Sequence, residues 1–515
     1  MCGIFVEISR SGSQEQKLIF KPKEETKELI SRRGPDHFGT VDYEIDGCCV
    51  SISASVLSMR GNCIQTQPIC NDSLAFCWNG EAYSALFPLI PNVSDSIQIF
   101  NSLSSNSHEN FSILQSVKGE FAFVILDLKK KCLYFGRDVF GRRSLLIQHN
   151  SDKIFLSSVA IDMQSKAACN NWDEVECQGY WQLNLQDFSL NLFPWTKTFQ
   201  LNPTIEPLLH LESQIAPLNL DVFVDKFLNQ LNESVKRRLI LSENQKSIAV
   251  LFSGGLDCTV LARLADLLLP LDIDIDLFNV AFENKRFLSN TTSSTYDVPD
   301  RKSGIESFLE LKQKSKRKFR FIMVNVSEVE YEKSKPHIIS LLHPANSVMD
   351  LSIAIAVWHA SSGIGIDYDS NTPYNSTAKV IFSGIGADEQ LAGYTRHRNR
   401  FEREGWDGLR AELQLDLNRI WVRNLGRDDR CISDHGKEGR FPYLDEDFVK
   451  FACSLPLRIK CDLEEPGGKG DKKILRLTAE RIGIMKAAGF PKRAIQFGAK
   501  TAKMMNSKEN GDDLL

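Results

Sequence analysis

The stretch that decides the fold is SIAVLFSGGLDCTVLARLADLLL, at residues 247–269. Its apolar start has the character of a buried strand, a Ser-Gly-Gly turn follows at 253–255, and the remainder has a helical pattern. A turn of this kind directs consecutive backbone N–H groups and a helix N-terminus toward an anion, and its glycines allow close approach. No Gly-Lys-Ser or Gly-Lys-Thr follows, so the turn differs from the loop that holds β- and γ-phosphates in Walker-type proteins. The stretch therefore predicts a strand, an anion-binding turn and a helix.

The same alternation continues through the second half of the chain. Strand-like apolar runs recur in IDLFNVAF, FRFIMVNV and KVIFSG, and an amphipathic helix is predicted over 220–240. Buried strands that alternate with helices predict a parallel sheet with helices on both faces. We expect such an α/β domain over 218–503, with loops or insertions at 283–318 and 367–377, and a polar flexible tail over 504–515.

The first half of the chain has a different pattern. Short β-rich runs, such as Phe121 to Asp127, are separated by turns rich in Gly, Asn, Asp and Ser, and helices are predicted at Lys23 to Ser31 and Ser94 to Leu103. Many strands with few helices predict an α+β domain of layered sheets, which we place at 1–190. A proline-dotted stretch without a clear period follows, so we take 191–217 as the linker between two domains.

The composition argues against several classes of protein. The chain has 515 residues, of which 42% are hydrophobic and 25% are charged, as is typical of globular proteins. The net charge of −4, without a long basic stretch, argues against a nucleic-acid partner. We expect no signal peptide and no membrane segment, since no stretch is long and apolar enough. Thirteen cysteines occur without CxxC pairs or zinc-finger spacing, which favours a reduced, cytoplasmic protein.

Cys2 is the first candidate for chemistry. It follows the initiator Met1, so removal of Met1 would place a thiol and a free α-amine on one residue. An α-amine titrates near neutral pH and can act as the base that activates the neighbouring thiol. The Asn-Gly pair of WNGEAY, at 78–83, is a strong β-turn signal in its own right, and we expect a turn and a site there at once.

Several motifs connect Cys2 with a known family. They occur in the order found in class II glutamine amidotransferases: MCGIF at the start, RRGPD at 32–36, WNGEAY at 78–83, SDS at 94–96 and FGRDVFGRRSL at 135–145. About the first 160 residues thus resemble the N-terminal-nucleophile glutaminase domain of that family. The resemblance implies that Cys2 attacks the glutamine amide and that Asn79 and Gly80 stabilise the oxyanion. It also implies that Glu81 and Asp95 hold the amino end of the substrate.

One position departs from that family. The family carries an arginine that grips the glutamine α-carboxylate, about eleven residues before the Gln of a Gln-Pro pair. Gln67-Pro68 is present here, but the aligned residue is Val56. Arg60 lies nearby and would substitute only if the loop is reshaped, because bidentate gripping is geometrically strict. We therefore predict weak or absent glutaminase activity with free glutamine.

The Ser-Gly-Gly turn carries a second resemblance. SGGLDC is similar to the pyrophosphate loop of ATP pyrophosphatases. Further segments resemble asparagine synthetases in the same order: VPDRKSG at 298–304, FSGIGADEQLAGY at 382–394, RDDRCISDHGKEGRFPYLD at 427–445 and GDKKILRLTAE at 470–480. The likeness covers about residues 220–500, and it implies a domain that cleaves ATP to AMP and pyrophosphate with Mg²⁺.

This second resemblance implies a set of site residues. Asp257 and Asp388 would hold Mg²⁺ on the pyrophosphate, since carboxylates are hard oxygen ligands. Lys472 would neutralise charge that builds on the α-phosphate, and Glu438 would line the same site, with a surface salt-bridge network as its alternative. The nucleotide-binding residues would be Ser253, Gly254, Gly255, Asp257, Cys258, Ser383 and Gly384.

Two positions depart from the synthetase pattern. Active synthetases have a glutamate where this chain has Ile385, and isoleucine cannot orient an attacking amine or accept its proton. The serine that ends the pyrophosphate loop is Cys258, which keeps a weak donor. Nucleotide and Mg²⁺ binding should survive these changes, whereas the transfer of ammonia is put in doubt.

The order of the two domains is that of glutamine-hydrolysing asparagine synthetases, and the departures resemble a divergent branch of that family. The implied reaction adenylates the aspartate side chain and displaces AMP with ammonia released at Cys2. One alternative is a pseudoenzyme that keeps the fold, with or without ATP binding, as a regulatory or interaction module. Another is an ATP-dependent amidotransferase for a different carboxylate. Glutamine, aspartate and ATP are the implied small-molecule partners, and the sequence gives no oligomeric state.

Overall fold

The computed structural model describes most of the chain: residues 2–10, 23–90, 92–105, 112–149, 153–161, 172–205, 220–242, 244–284 and 295–504. The predicted tail beyond 504 and positions 285–294 of the predicted insertion lie outside the described residues. Among the described helices, none combines the length and the apolar character that crossing a bilayer requires.

The first part of the chain is rich in strands, as its alternating apolar runs predict. Its described strands are β1 (Cys2–Arg10), β2 (His37–Ile45), β3 (Cys48–Val56), β4 (Ile69–Cys70), β5 (Leu74–Ser84), β6 (Lys118–Asp127), β7 (Cys132–Arg137), β8 (Leu146–His149), β9 (Lys153–Ser157), β10 (Asp173–Glu174), β11 (Gly179–Asn184) and β12 (Leu190–Pro194). Its described helices are α1 (Glu24–Arg33), α2 (Asp95–Ser105) and α3 (Ser112–Ser116). The first two correspond to the predicted helices.

These strands form two antiparallel sheets that pack face to face. The described strands run in the orders β10-β8-β9-β1-β3-β2 and β12-β11-β7-β6-β5-β4. Alternate residues of β1, Ile4, Val6 and Ile8, are buried with alternate residues of β5 and β6 in the core between the sheets. Helices α2 and α3 cover the outer face of the second sheet, and α1 packs on the first. The layered α+β prediction is confirmed.

The second part contains the predicted strands and helices in alternation. Its described strands are β13 (Ser247–Leu251), β14 (Asp274–Phe282), β15 (Phe319–Val326), β16 (Ile364–Asp367), β17 (Pro373–Asn375), β18 (Val380–Phe382) and β19 (Glu438–Arg440). Its described α-helices are α4 (Leu220–Arg237), α5 (Leu256–Leu268), α6 (Pro299–Lys314), α7 (Glu328–Leu342), α8 (Val348–Ser362), α9 (Ala387–Leu391), α10 (Thr395–Ile420), α11 (Gly426–Ser433), α12 (Glu446–Ser454), α13 (Leu457–Lys460), α14 (Lys473–Arg481) and α15 (Ile495–Gly498). A π-helical turn, Trp421–Leu425, and short 3₁₀ segments at Pro442–Leu444, Ala487–Gly489 and Thr501–Lys503 complete it.

The sheet of the second part places the Ser-Gly-Gly turn at a topological switch. The described strands have the order β17-β16-β15-β14-β13-β18-β19, with β13, β14, β15, β18 and β19 parallel. The chain moves from β13 outward through β14 and β15, then returns to the other side of β13 at β18. In sheets of this kind ligands bind in the crevice at the carboxyl ends of the strands where the order reverses. The parallel-sheet prediction is confirmed, and the turn after β13 lies at that crevice.

The two predicted insertions contain regular structure. Helix α6, Pro299–Lys314, occupies much of the stretch expected to be a loop. Two features of the sequence indicate this helix: the proline in its first turn and buried apolar residues such as Phe308 and Leu311. The many lysines and serines around them led to the prediction of a loop. The second stretch holds β16 and β17, a short antiparallel edge on the parallel sheet.

Buried ion pairs join the two parts of the chain. Three arginines of the first part contact carboxylates of the second: Arg33–Asp429 at 2.7 Å, Arg142–Glu446 at 2.7 Å and Arg143–Asp429 at 3.4 Å. Two arginines of the second part contact carboxylates of the first: Arg238–Glu120 at 2.8 Å and Arg430–Glu174 at 2.7 Å. All of these side chains are buried. Removing one partner from such a pair strands a buried charge, at a cost of about 3–5 kcal/mol. The network therefore fixes how the two candidate sites face each other.

The structure describes the stretch predicted as a linker as far as residue 205, and its positions 206–217 lie outside the described residues. Strand β12 continues the second sheet to Pro194, and the chain then runs along the second part. The backbone N–H of Leu201 donates to Gln414 Oε1, and that of Asn202 donates to the carbonyl of Cys453. The proposed domain limits of 1–190 and 218–503 stay predictions.

Candidate active sites

The Cys2 thiol lies at the start of β1, opposite Val56 on the neighbouring strand β3. Its backbone nitrogen donates to Asn79 Oδ1 at 2.9 Å, and the Gln67 side-chain amide lies 3.5 Å from the sulfur. Cys2 is 7% exposed, and burial raises the pKa of its thiol. A buried thiol with a raised pKa needs a base before it can attack, and the nitrogen that would become the α-amine belongs to the same residue.

Asn79 and Gly80 are neighbours inside strand β5, where both pair with β6, so the β-turn predicted for this Asn-Gly pair is wrong. The Asn79 amide nitrogen Nδ2 is buried and finds no hydrogen-bond acceptor in the described part of the chain. Gly80 has φ +150°, and a Cβ there would lie 2.0 Å from the Glu120 carbonyl oxygen, so only glycine fits. A buried unpaired donor beside a thiol has the chemistry of an oxyanion-stabilising group.

The two predicted amino-end ligands, Glu81 and Asp95, have different surroundings. Asp95 accepts hydrogen bonds from Trp78 Nε1 at 3.1 Å, from the Ala82 N–H at 2.7 Å and from the Ser96 N–H. Glu81 is paired with Arg60, whose Nε lies 2.5 Å from Glu81 Oε2. Arg60 therefore does enter the thiol pocket, but its partner is a protein carboxylate.

The Ser-Gly-Gly turn has the geometry expected of an anion-binding loop. Gly254 has φ +76°, and a Cβ there would lie 2.3 Å from the Ser303 backbone, so helix α6 packs directly on the turn. The Ser303 and Ser307 hydroxyls donate to the carbonyls of Ser253 and Gly254. These bonds use the carbonyl oxygens of the turn, which favours presentation of its N–H groups to a ligand.

Cys258 keeps its sulfur within the turn. Its thiol donates to the Gly255 carbonyl at 3.3 Å and lies 3.7 Å from Ser253 Oγ. Burial raises the pKa of this thiol. The substitution of cysteine for serine therefore preserves a hydrogen bond inside the loop.

Lysines and aspartates meet directly beside the turn. Lys472 Nζ lies 2.8 Å from both oxygens of Asp257 and 2.8 Å from Asp388 Oδ1. Lys492 contacts the other oxygen of Asp388. Burial would lower the pKa of Lys472, but the two carboxylates outweigh it and raise that pKa. The structure thus brings Asp257, Asp388 and Lys472 together, as the second resemblance implies.

Two cavities adjoin this cluster. One, of about 350 Å³, has apolar walls that include Val280, Ile353 and Val357. The other, of about 500 Å³, is bordered by basic residues that include Lys302, Lys472, Arg476 and Lys500. Asp257, Lys492 and Arg493 line both. An apolar cavity and a basic one that meet at an anion-binding turn suit the base and the phosphates of a nucleotide.

The donor set fits Mg²⁺ held together with phosphates. Mg²⁺ commonly takes one or two protein carboxylates and completes its octahedron with waters and phosphate oxygens. Asp257, which lines both cavities, and Asp388, which lines the apolar one, supply such carboxylates. No group of three or more His, Cys, Asp or Glu with metal-binding geometry occurs in the described ranges. The pair therefore suits a metal that arrives with a nucleotide better than a metal bound by protein alone.

Ser383, Gly384 and Ile385 line the apolar cavity. Ile385 also packs against a core cluster that includes Phe140 of the first part and Phe441 of the second. The residue that replaces the expected carboxylate thus joins the apolar packing between the two parts.

Glu438 lies away from this cleft. It is fully buried, accepts from Arg440 Nε at 2.7 Å and lies 3.9 Å from Arg143 of the first part. Arg440 itself donates to the carbonyls of Arg238 and Ile240. Glu438 therefore belongs to the buried ion-pair network between the two parts. Both predictions for it are wrong, the position in the nucleotide site and the surface salt-bridge network.

Two groups of the cleft were missed in the sequence. Lys492 lies in FPKRAIQF, where a Pro-Lys-Arg sequence was the available signal. Glu389 follows the predicted ligand Asp388 directly, and it accepts from the Tyr394 hydroxyl at 2.6 Å and from Asn424 Nδ2 at 2.9 Å. Glu389, Tyr394 and Asn424 line the apolar cavity together with Ile385.

Comparison with known proteins supports both halves. The glutamine amidotransferase domain family matches residues 1–205, and the asparagine synthase family matches residues 401–506. Asparagine synthetase domain-containing protein 1 of Mus musculus is 37% identical, over 100% of this chain and 99% of that protein. The Homo sapiens protein of that name is 34% identical, over 100% and 97%. The glutamine-hydrolysing asparagine synthetase of Rattus norvegicus is 25% identical, over 98% and 85%.

The resemblance inferred from the motifs is thus confirmed along the whole chain. The matches share the order of the two domains and extend over nearly the full length of the relatives. The chain belongs to the asparagine synthetase domain-containing protein family.

Proposed function

We propose that the protein is an ATP-dependent ligase that converts aspartate to asparagine, with glutamine or ammonium as the nitrogen source. The observation that carries this proposal is the cluster of Asp257, Asp388, Lys472 and Lys492 beside the Ser-Gly-Gly turn. It joins a phosphate-sized basic cavity to an apolar one, which is the arrangement that adenylation of a carboxylate requires.

In the first step an aspartate side-chain oxygen attacks the α-phosphorus of ATP, and pyrophosphate leaves. Negative charge builds on the α-phosphate oxygens, and the ammonium groups of Lys472 and Lys492 are positioned to balance it. The turn N–H groups hold the departing pyrophosphate. Asp257 and Asp388 would hold Mg²⁺, which when bound supplies Lewis-acid neutralisation of the phosphates.

In the second step ammonia attacks the acyl carbon of β-aspartyl-AMP, the C–O bond to AMP breaks, and the nitrogen loses a proton. Ile385 cannot accept that proton. Glu389, four residues after Ile385, is one of several buried carboxylates in the wall of the same cavity, and burial raises its pKa, which makes it a better base. We assign proton removal to Glu389, with Tyr394 and Asn424 holding its side chain in place.

In the glutaminase half, the Cys2 sulfur attacks the side-chain amide carbon of glutamine, ammonia leaves, and water hydrolyses the thioester. The thiol proton passes through the Cys2 α-amine to the leaving nitrogen. Asn79 Nδ2 is the buried donor available to the oxyanion. Val56 leaves this half without the usual carboxylate clamp, so we expect it to be the slower half.

A second candidate is a pseudoenzyme that binds ATP without completing the reaction. Two observations favour it: Ile385 is packed into the apolar interface, and the thiol pocket contains an internal ion pair. On this alternative the nucleotide would serve a regulatory or interaction role.

The deciding experiment measures AMP and asparagine formed by the purified protein with ATP, Mg²⁺ and aspartate. Ammonium is the nitrogen source in one arm and glutamine in the other. Aspartate-dependent AMP and asparagine in the ammonium arm support the ligase. Binding of ATP without formation of AMP supports the pseudoenzyme, and AMP formed only with a carboxylate other than aspartate supports the amidotransferase alternative. Cytoplasmic location and the absence of a nucleic-acid partner stay predictions.

A further inference from the structure

The thiol pocket contains a charge arrangement that the family motifs do not supply. Val56, in the position of the usual clamp, lies at the end of β3 directly opposite Cys2. The chain then turns and carries Arg60 into the wall of the same pocket. Arg60 pairs with Glu81, the residue that motif order assigns to the substrate amino group.

This ion pair fills the place that an amino acid would need. Arg60 is 6% exposed and Glu81 is 2% exposed, and the cavity beside Cys2 measures about 30 Å³. That space holds about two water molecules, far less than glutamine. Glutamine therefore reaches the thiol only if Arg60 moves away from Glu81.

Unpaired donors accompany the pair. Arg60 Nη2 and Asn79 Nδ2 are buried and make no hydrogen bond within the described part of the chain. Buried donors without acceptors are rare in folded proteins and often mark a place where a ligand supplies the acceptor. One of these donors belongs to the guanidinium and the other lies beside the thiol, so they suit the two oxygen-bearing ends of an amino acid amide.

Opening a buried ion pair has a strict consequence for ligands. A ligand with one charge would satisfy either Arg60 or Glu81 and leave the other buried and unpaired, which is unfavourable. A zwitterion replaces both interactions, since its carboxylate can pair with Arg60 and its ammonium with Glu81.

We propose that Arg60 is the α-carboxylate receptor of this pocket, and that exchange of the Arg60–Glu81 pair restricts the thiol to zwitterionic amino acid amides. The proposal rests on the glutaminase half of the proposed function. It makes Arg60 both an obstacle and a receptor: the side chain blocks the thiol from small reagents and recruits ligands that carry an α-carboxylate.

The test compares two electrophiles that label Cys2. One is the diazomethyl ketone analogue of glutamine, which has the amino acid head group, and the other is iodoacetamide, which has none. Labelling rates at Cys2 are measured by peptide mass spectrometry, which also reports removal of Met1. The proteins are the wild type, R60A, R60K and the double variant R60A/E81Q, which avoids a buried unpaired carboxylate. R410M, at an arginine that is 32% exposed and pairs with the exposed Asp407, is the matched control.

For R60A and R60A/E81Q we expect iodoacetamide labelling to rise severalfold, because the obstacle is gone. We expect labelling by the glutamine analogue to fall by about ten- to hundredfold, because a charge-assisted contact is lost. R60K should recover part of the latter rate, and R410M should match the wild type. Equal changes for both reagents would overturn the role of Arg60 while leaving the glutaminase intact. A wild-type Cys2 that reacts with iodoacetamide and never with the glutamine analogue would overturn the glutaminase function itself.

Discussion

The thiol pocket and the nucleotide cleft use opposite charges in different ways. In the pocket, Arg60 and Glu81 cancel each other within a cavity of about 30 Å³. In the cleft, Lys472 and Lys492 contact Asp257 and Asp388 at the border of cavities of about 350 and 500 Å³. The pocket must break an internal contact before it can bind, whereas the cleft has room for a ligand beside its charges. Each site lacks one residue of the family pattern, at Val56 in the pocket and at Ile385 in the cleft. We expect the loss to limit ligand binding in the pocket more than in the cleft.

The largest effect is expected from Lys472→Met, which changes only the cleft. Without the Lys472 ammonium, Asp257 and Asp388 repel each other, and Lys492 alone remains to balance the charge on the α-phosphate. The rate of AMP formation, measured as released pyrophosphate, should fall about 10³-fold. Lys312→Met, at an exposed lysine, is the control. Labelling of Cys2 should not change, and a loss of AMP formation below threefold would remove Lys472 from the mechanism.

Arg143→Met tests the network that connects the two sites. Arg143 lies 3.2 Å from Glu120 and 3.4 Å from Asp429, and all three are buried. Its loss removes one of two arginine partners from each carboxylate, leaving Arg238 with Glu120 and Arg33 with Asp429, and should lower the free energy of unfolding by about 3 kcal/mol. Denaturant unfolding of this variant and of the control Arg403→Met, at an exposed arginine, gives the measurement. Unchanged stability would show that water or the remaining arginines compensate.

Ile385→Glu restores a carboxylate in the cleft. If the ligase is active but slowed at amide formation, asparagine made from ammonium should rise about 100-fold, the usual range for a positioned base. Ile385→Gln has nearly the same shape and lacks the base, so it should give no comparable gain. A gain from both variants would show that side-chain packing at 385, and not a base, limits the rate. No gain from either would mean that Glu389 suffices as the base or that the protein is a pseudoenzyme. Formation of AMP by the wild type distinguishes these two cases.

The smallest effect is expected from Val56→Arg in the thiol pocket. A second guanidinium at the family position meets a cavity already filled by the Arg60–Glu81 pair, so glutaminase kcat/KM should rise by about tenfold at most. Val56→Met controls for side-chain size. A rise equal to that of Ile385→Glu in the cleft would contradict the distinction between the two sites.

The strands and the turn after β13 were predictable because apolar periodicity and short motifs act over neighbouring residues. The meeting of Cys2 with Asn79, 77 positions apart, was implied by the resemblance to class II glutamine amidotransferases. The Arg60–Glu81 pair was not, since a motif gives the residue types of a pocket and does not say which of them pair. Glu438 shows the same limit: it belongs to a motif of the cleft, yet its partner Arg143 lies in the other half of the chain. The extent of helix α6 was missed because its buried face is largely polar or small, with Asp300, Gly304 and Ser307 beside Phe308 and Leu311.

The contact between Lys472 and Asp257 spans 215 positions of the chain. During synthesis the strand and turn at 247–255 emerge long before the lysines that complete their charge cluster. Until then neither Lys472 nor Lys492 is present to balance Asp257 and Asp388. The charge cluster therefore forms only once the chain extends to Lys492, and a chain that stops before Lys472 contains the turn without the lysines that neutralise its carboxylates.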